Sequence, residues 1–250
     1  MVLWDSSDSR DTTSIDMITI DVLVHLMLQV GGGTYYMSHR REFLDVAGEW
    51  HLDEAKNELL LAVPVGTKPP SSLVAPAVKQ IFVLEGTQSN PVRGVQISEL
   101  TFRHVAPTFM EDYAVGSGGD YSVYRGGTVH LNGTLNCTVD HSLFDAVGGN
   151  GIWLTDFNRH AVVAGNEMRH IGENGVGMRG STDWVDGRGG DQPRFNLIEG
   201  NLIHHLGLYT KQSCAIFSAV SCQNTIRNNV MFHGPRGNRP PSFRGASSPT

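Results

Sequence analysis

The chain has 250 residues, of which 29 are glycine, 18% are charged and 8% are aromatic. This composition is typical of a β-rich chain with room for one elongated domain. The formal net charge of −6 argues against the basic surface that nucleic-acid binding requires, so no nucleic-acid partner is expected.

Residues 1–34 form an N-terminal segment without a clear structural pattern. Its apolar stretch, residues 15–30, contains Asp16 and Asp21 and is too short to span a bilayer. The stretch also lacks the basic start and the small-residue cleavage site of a signal peptide. We therefore expect no membrane partner.

Residues 35–90 are predicted to form a β-hairpin and a connecting segment. Residues 49–63 contain two apolar stretches on either side of a polar turn at residues 54–57, which is typical of a hairpin. The proline-rich residues 64–76 then lead to a strand at residues 80–84, shortly before the first repeat.

Residues 91–236 contain five copies of one pattern. Each copy begins at a branched anchor residue, and mostly apolar residues follow five and eight positions later. The anchors lie 42, 24, 35 and 28 residues apart, at Ile97, Val139, Val163, Ile198 and Ile226. Self-similarity at this period is typical of stacked coils, in which each coil buries its apolar face only against its neighbours.

In the last three copies of the pattern an asparagine lies three residues after the anchor, at Asn166, Asn201 and Asn229. Stacked amides can hydrogen-bond between coils at the strand spacing of about 4.8 Å, and asparagine tolerates the left-handed backbone of a sharp turn. A leucine-rich repeat is the alternative, but it requires a leucine two residues before each anchor, where the last two copies have Asn196 and Asn224. The sequence therefore predicts an all-β fold: a β-hairpin segment, then a right-handed parallel β-helix, which is a single-stranded solenoid of about five coils with three strands each.

Another strand of each coil is predicted from stretches with period-two alternation, most of them preceded by glycine. The alternation sends one set of side chains inward: Val129, Leu131, Ile152, Leu154, Val176, Met178, Ala215 and Phe217. The intervening residues would point outward on one face: His130, Trp153, Gly177 and Ile216.

Four histidines lie seven residues after the anchors, at His104, His170, His205 and His233. One hypothesis is a row of metal ligands or proton carriers. The favoured hypothesis is a ladder at the coil turns, in which ring N–H groups satisfy backbone carbonyls, because metal sites need converging ligands. No metal ion is therefore expected. The adjacent column of Arg103, Asp145, Arg169 and His204 is interpreted as charge pairing between coils.

Three insertions in the repeat, residues 107–125, 179–194 and 208–212, are predicted to wall a groove above the outward face. Trp153 and Trp184 would offer flat apolar faces to a sugar ring in this groove.

Three aspartates in the middle insertion, Asp183, Asp186 and Asp191, are the candidate catalytic residues. Hydrolysis of a glycosidic bond needs two carboxyl groups, one as the acid and the other as the nucleophile or base. The alternative is that these aspartates only stabilise an exposed turn or bind calcium.

Several motifs between about Tyr35 and Arg236 carry a resemblance to a known family. They are Leu44-Asp45-x-x-Gly48-Glu49-Trp50-x-x-Asp53, Gly118-Gly119-Asp120-Tyr121-Ser122 with Arg125-Gly126-Gly127, Ser181-Thr182-Asp183, Gly190-Asp191-Gln192-Pro193-Arg194, Lys211-Gln212-Ser213, Asn228-Asn229 and His233-Gly234-Pro235-Arg236. With these motifs the chain resembles the right-handed parallel β-helix proteins of the pectin-lyase-like superfamily, in particular large secreted ones grouped with glycoside hydrolases.

The resemblance implies an extracellular, carbohydrate-active protein that hydrolyses glycosidic bonds in a polysaccharide or glycan and needs no cofactor. The alternatives are a non-catalytic glycan-binding or surface-structural β-helix, and a polysaccharide lyase with Lys211, Arg125 or Arg188 as its base. No particular oligomeric state is indicated. The expected substrate-binding residues are Asp120, Arg125, His130, Trp153, Trp184, Gln192, Lys211 and Gln212.

Residues 237–250 do not follow the repeat pattern and are predicted to be disordered. Related chains continue with further coils at this point, so the resemblance implies a fragment of a longer enzyme, which could be inactive in this form. An uncapped last coil would leave Ile226 and Met231 exposed, and the isolated chain is then expected to aggregate.

Overall fold

The computed structural model describes residues 40–115, 122–181 and 186–235. The described residues divide into two compact units, the first ending at Leu73 and the second beginning at Val74. In the described ranges the secondary structure consists of β-strands and one short 3₁₀-helix, Arg41–Phe43. No helix in these ranges is long and apolar enough to cross a membrane.

The first unit contains the predicted β-hairpin. Strands β1 (Trp50–Asp53) and β2 (Glu58–Leu61) pair antiparallel, with Trp50 opposite Leu61. Asn57 adopts a left-handed backbone at the turn, with φ of 54°, which asparagine tolerates better than most residues. The hairpin prediction is therefore confirmed.

The second unit is built from repeated coils of short strands. The first coil contains β3 (Phe82–Glu85), β4 (Val92–Arg93), β5 (Gln96–Ser98) and β6 (Thr101–Val105). An antiparallel pair, β7 (Ala114–Val115) and β8 (Ser122–Val123), precedes the second coil of β9 (Val129–Leu135), β10 (Thr138–Asp140) and β11 (Leu143–Val147). The third coil contains β12 (Ile152–Arg159), β13 (Val162–Ala164) and β14 (Glu167–Ile171). The fourth contains β15 (Val176–Arg179), β16 (Pro193–Arg194), β17 (Leu197–Glu199) and β18 (Leu202–Leu206), and the fifth β19 (Ile216–Ala219), β20 (Thr225–Arg227) and β21 (Val230–Phe232).

Equivalent strands of successive coils stack into three parallel sheets. The first sheet has the order β5-β10-β13-β17-β20 and the second β6-β11-β14-β18-β21. The third has the order β3-β9-β12-β15-β19, with β4 paired to β9 and β16 to β12. The five anchors pair with one another in one register: Ile97, Val139, Val163, Ile198 and Ile226. The predicted parallel β-helix, with three strands per coil and five coils, is confirmed.

The core is the interior of the coils. The anchors Val139, Val163 and Ile198 are fully buried, and so is Phe144, which stacks on Phe102 with ring centroids 4.7 Å apart. Burying each such side chain stabilises the fold by about 1.5–3 kcal/mol. The repeated apolar columns therefore supply most of the driving force for coil stacking.

The asparagine ladder forms as predicted at the turn between the first two sheets. Asn166 donates from Nδ2 to Asn201 Oδ1 at 3.0 Å, and Asn201 donates in the same way to Asn229 at 2.9 Å. Two further amide contacts, Asn196 to Asn224 and Asn174 to Asn150, join coils at the other turns. Each of these pairs satisfies buried backbone groups that the turns leave without strand partners.

Asn201→Ala is expected to destabilise the protein by about 3 kcal/mol. The substitution removes an acceptor for the Asn166 N–H and a donor to Val163 O in a site that is 1% exposed, and each buried group left unpaired costs about 1–3 kcal/mol. Asn229→Ala, in a half-buried position of the same ladder, is the control and should cost less. Equal losses for both variants in urea denaturation would contradict the argument.

The histidine column stacks as predicted, but its ring hydrogen bonds differ. All four residues have a left-handed backbone, with φ between 50° and 56°, which explains histidine at this corner of the coil. The His205 ring lies between those of His170 and His233, with ring centroids 5.6 and 4.7 Å apart and the rings tilted by 44° and 33°. The His170 ring bonds the Asp145 carboxylate at 2.9 Å, whereas backbone carbonyls were expected as partners. In the described ranges no group of three or more His, Cys, Asp and Glu side chains could hold a metal ion.

The predicted charge pairing next to this column is confirmed. Arg103 of the first coil and Arg169 of the third both lie 3.3 Å from the Asp145 carboxylate of the second. The hydrogen bond with His170 and the two guanidinium groups lower the pKa of Asp145 to about 2. Asp145 therefore links three coils on the outer face of the second sheet.

One predicted register is wrong by one residue. Val176 pairs with Ile216 and Gly177 with Phe217, so Ile216 packs on the core and Phe217 points outward. The prediction placed Phe217 inward and Ile216 outward. The preceding turn sets where β19 begins, and the short alternation of apolar residues there fits either register.

Candidate functional site

The outer face of the third sheet carries the column His130, Trp153, Gly177 and Phe217. Trp153 is fully buried, because its indole stacks on Phe217 at 5.9 Å and packs against Val123. This corrects the prediction that Trp153 offers an exposed face to a sugar. The first insertion folds over this face through β7 and β8 instead of standing beside it as a groove wall.

His130 is held in the same face by two side chains. Gln80 Nε2 lies 3.2 Å from Nδ1, and Thr155 Oγ1 lies 2.9 Å from Nε2. An amide nitrogen only donates, so Nδ1 accepts and Nε2 carries the proton. Burial first, and then the charge of Arg125, lower the pKa of His130 to about 4. His130 is therefore a neutral packing residue at physiological pH.

A large open cleft of about 860 Å³ lies beside this covered face. We call the turn at residues 86–89 one wall and the segment with Gly189 and Asp191 the other. The floor consists of Asn132 and Gly133 on β9 and of Asp156 and Phe157 on β12. We call this feature the acidic cleft.

A β-bulge directs the floor residues of β12 into the acidic cleft. Thr155 pairs with Asn132 and Asn158 with Thr134, so two residues of β12 lie opposite one residue of β9. Asp156 has a left-handed backbone at the bulge, with φ of 56°. An aspartate held in this sparsely populated conformation is a candidate functional residue, because such conformations persist where the surrounding structure imposes them.

Gly133 permits the close approach of the first wall to the floor. It has φ of 65°, and a Cβ atom there would lie 2.3 Å from the carbonyl carbon of Gly86. Only glycine fits both the backbone conformation and the contact. The floor and the turn at residues 86–89 are therefore packed backbone against backbone.

Asp156 forms an ion pair at the floor of the acidic cleft. Its Oδ1 lies 2.5 Å from Nη2 of Arg125, and both side chains are 24% exposed. Arg125 also donates to Ser181 Oγ at 2.7 Å and to the carbonyl of Arg179 at 3.3 Å. The guanidinium group is thus fixed between the floor and the beginning of the second insertion.

Asp191 has a different environment in the same cleft. Burial and the neighbouring charge of Asp156 raise the pKa of Asp191 above its usual value. A hydrogen bond from the backbone N–H of Phe157 and the charges of Arg125 and Arg159 oppose this effect. The two carboxyl groups are therefore close enough to interact electrostatically, and burial favours the protonated form of Asp191.

Arg159 fixes the segment that carries Asp191. Its guanidinium group donates to the carbonyls on both sides of that residue, Gly190 O at 2.6 Å and Gln192 O. The group also lies 4.4 Å from the ring centroid of Phe157, in a cation–π contact. These contacts tie the wall of the acidic cleft to the end of β12.

The predicted catalytic residues have separate positions. Asp191 lines the acidic cleft, whereas Asp186 forms a bidentate pair with Arg188 in its own turn, with Oδ1 accepting from Nε at 2.9 Å and Oδ2 from Nη2 at 2.5 Å. Asp186 is thus a turn-stabilising carboxylate in this structure. Asp183 lies outside the described residues, together with the predicted substrate-binding residues Asp120 and Trp184.

The other predicted substrate-binding residues do not line the acidic cleft. Gln192 is 5% exposed and donates to Gly187 O at 3.2 Å, and Arg125 reaches the cleft only through Asp156. Lys211 donates to Gly207 O and Leu208 O within its own turn, and the neighbouring Gln212 is likewise absent from the described lining.

Sequence reasoning missed Asp156, because it lies inside a strand and not in an insertion. A signal was nevertheless present. Val129 lies 10 residues before its anchor Val139, whereas Ile152 lies 11 residues before Val163. One additional residue between equivalent positions of two stacked strands indicates a bulge.

A second buried carboxylate, Glu173, lies at another corner of the coils. It is 3% exposed and accepts a hydrogen bond from Thr108 Oγ1 at 2.7 Å. Burial raises the pKa of Glu173 to about 7. The cavity beside it, lined also by Glu111 and Tyr124, has a volume of about 10 Å³, which is room for about one water molecule. This size excludes a sugar.

Comparisons with known proteins support the fold. No protein-family model and no curated protein matches the chain. A solved structure described as a glycoside hydrolase superposes with a TM-score of 0.68 at 18% sequence identity. The match covers 79% of this chain and 39% of that one, so the chain spans well under half of the matched protein. The β-helix described above is therefore similar in fold to part of a glycoside hydrolase.

Proposed function

We propose that this protein hydrolyses glycosidic bonds, with Asp191 as the general acid and Asp156 as the nucleophile or base. The observation that carries the proposal is that both carboxyl groups line one open cleft in different environments. Hydrolysis needs one carboxyl group that holds a proton and a second that is charged. The raised pKa of Asp191 suits the first role, and the ion pair of Asp156 with Arg125 suits the second.

The dimensions of the acidic cleft suit a sugar chain. Its volume of about 860 Å³ is in the range of ligand pockets, and it is open along the surface. Phe157 supplies an apolar surface, and Gln88, Ser89 and Asn132 supply groups that can hydrogen-bond hydroxyls. The fold similarity to a glycoside hydrolase is consistent with a polysaccharide or glycan as the substrate.

A lyase mechanism has less support among the described residues. A lyase would need a free basic side chain at the substrate, and the three candidates are engaged elsewhere. Lys211 donates to carbonyls of its own turn, Arg188 pairs with Asp186, and Arg125 pairs with Asp156. Hydrolysis uses the two carboxyl groups that the cleft contains.

Asp191→Asn and Asp156→Asn are each expected to lower the release of reducing sugar by about 10²–10⁴-fold. The amide cannot protonate the leaving group or attack the sugar, while it retains the size of the carboxyl group. The wild-type rate should also fall as the pH rises through the raised pKa of Asp191, because the acid is then deprotonated. The measurement is reducing-sugar release from a panel of xylan, mannan, galactan, arabinan and polygalacturonate.

Asp186→Asn is the matched control, since Asp186 lies in the same loop but pairs with Arg188 outside the lining of the cleft. It should retain nearly full activity. Equal losses for Asp186→Asn and Asp191→Asn would contradict the assignment. Binding to a polysaccharide without turnover in the wild-type protein would instead favour a glycan-binding module.

A further inference from the structure

We infer that the acidic cleft accepts uncharged sugars and rejects uronic acids and other anionic sugars. This inference names the substrate class of the proposed hydrolase and rests on that function. It follows from the charges at the cleft and from the hydrogen bonds that already occupy the neighbouring guanidinium groups.

The described lining of the acidic cleft is negative. Its two charged side chains are the carboxylates Asp156 and Asp191, and its other members are glycines, Phe157 and small polar residues. These two carboxylates already repel each other, which contributes to the raised pKa of Asp191. A substrate carboxylate would face the charged Asp156 and, whenever Asp191 is ionised, a second negative charge, without any basic side chain in the described lining, and like charges in a partly buried site repel.

The arginines near the cleft donate to acceptors of the protein itself, and Arg179 does so from Nη1 to the carbonyl of Gly180 at 3.1 Å. Arg125 uses both terminal nitrogens on Asp156 and Ser181, and Arg159 uses its own on the carbonyls of Gly190 and Gln192. Arg188 donates to both oxygens of Asp186. Arginine often binds a carboxylate through two parallel N–H donors, and in these arginines such donors would have to leave their protein acceptors.

The two segments of these insertions that lie outside the described residues contain no basic side chain. Residues 116–121 and 182–185 contain no Lys, Arg or His, and their charged members are Asp120 and Asp183. These two segments therefore supply no cation that could balance an anionic sugar. An uncharged sugar avoids the repulsion and can use Gln88, Ser89 and Asn132 as hydrogen-bond partners.

Matched pairs of oligosaccharides test the inference. Each pair consists of a neutral chain (β-1,4-glucan, β-1,4-mannan or α-1,4-galactan) and the same chain oxidised at C6 to the uronate. Calorimetric binding and reducing-sugar release are measured for each member at low and high salt. We expect at least a tenfold preference for the neutral member in binding and in turnover, and a smaller preference at high salt because repulsion is screened.

Gln88→Lys places a cation on the cleft wall and should reduce the preference for the neutral member several-fold. Gln96→Lys adds the same charge on the first sheet, away from the described lining, and should leave the preference unchanged. Equal effects of the two variants would overturn the role of local charge.

The outcomes separate this inference from the proposed function. Faster turnover of the uronate member would overturn the substrate class while the hydrolase proposal stands. Preferential binding of the neutral member without any turnover would support the substrate class and overturn the hydrolase proposal. Equal binding within each pair, or no binding to any pair, would overturn the inference.

Discussion

Gly177→Ala is expected to destabilise the β-helix by more than about 3 kcal/mol. A Cβ atom at this position would lie 1.9 Å from Cζ3 of Trp153 and 2.0 Å from Cε3, far inside van der Waals contact. The indole cannot move aside, because it is fully buried and stacked on Phe217. An added methyl group that overpacks a rigid buried ring lowers the free energy of unfolding by more than most single substitutions do.

The measurement is urea denaturation followed by circular dichroism, with Gly189→Ala as the control. A Cβ atom at Gly189 would have no other atom within 4 Å, and Gly189 has no positive φ, so the added methyl group should change the free energy of unfolding by less than about 0.5 kcal/mol. The double variant Gly177→Ala/Trp153→Leu should recover part of the loss, since the smaller side chain leaves space for the methyl group. Equal stabilities of Gly177→Ala and Gly189→Ala would contradict the packing argument.

Most of the fold could be predicted because every coil needs the same kinds of residue at the same positions. An anchor such as Val163 must point inward in every coil, and the asparagine at Asn201 must satisfy the same turn as its neighbours. Several copies of one pattern therefore define the register even where a single copy is ambiguous. The error at Phe217 occurred where the insertion before β19 separated the strand from its pattern.

Less of the candidate site could be predicted, because periodicity does not show where an insertion folds. The outward position of Trp153 follows from alternation, but its burial depends on β7 and β8, which lie over it. Asp191 was identified from the residue types in the second insertion. Asp156 was missed because its orientation depends on a bulge, which changes the alternation locally.

The wild-type protein is expected to lose stability as the pH rises from about 4.5 to 7, and Glu173→Gln is expected to abolish this loss. Glu173 is buried, and its partner is the Thr108 hydroxyl; the described residues place no cation against it. Burial raises its pKa from 4.5 to about 7. The folded protein therefore holds a proton over a pH interval in which the unfolded chain has released it, so stability falls as the pH rises through this interval. The shift corresponds to about 3 kcal/mol in total.

Glutamine has the size of the protonated side chain and can accept the hydrogen bond from Thr108, but it never becomes charged. The variant should match the wild-type protein near pH 4.5 and exceed its stability by up to about 3 kcal/mol at pH 8. The free energy of unfolding is measured by urea denaturation between pH 4 and 9. Glu199→Gln, at an exposed ion pair with Arg227, is the control and should retain the wild-type slope. If the free energy of unfolding of Glu173→Gln changed with pH as it does in the wild-type protein, the argument would be wrong. The pH dependence would then come from another group that loses its proton in this interval.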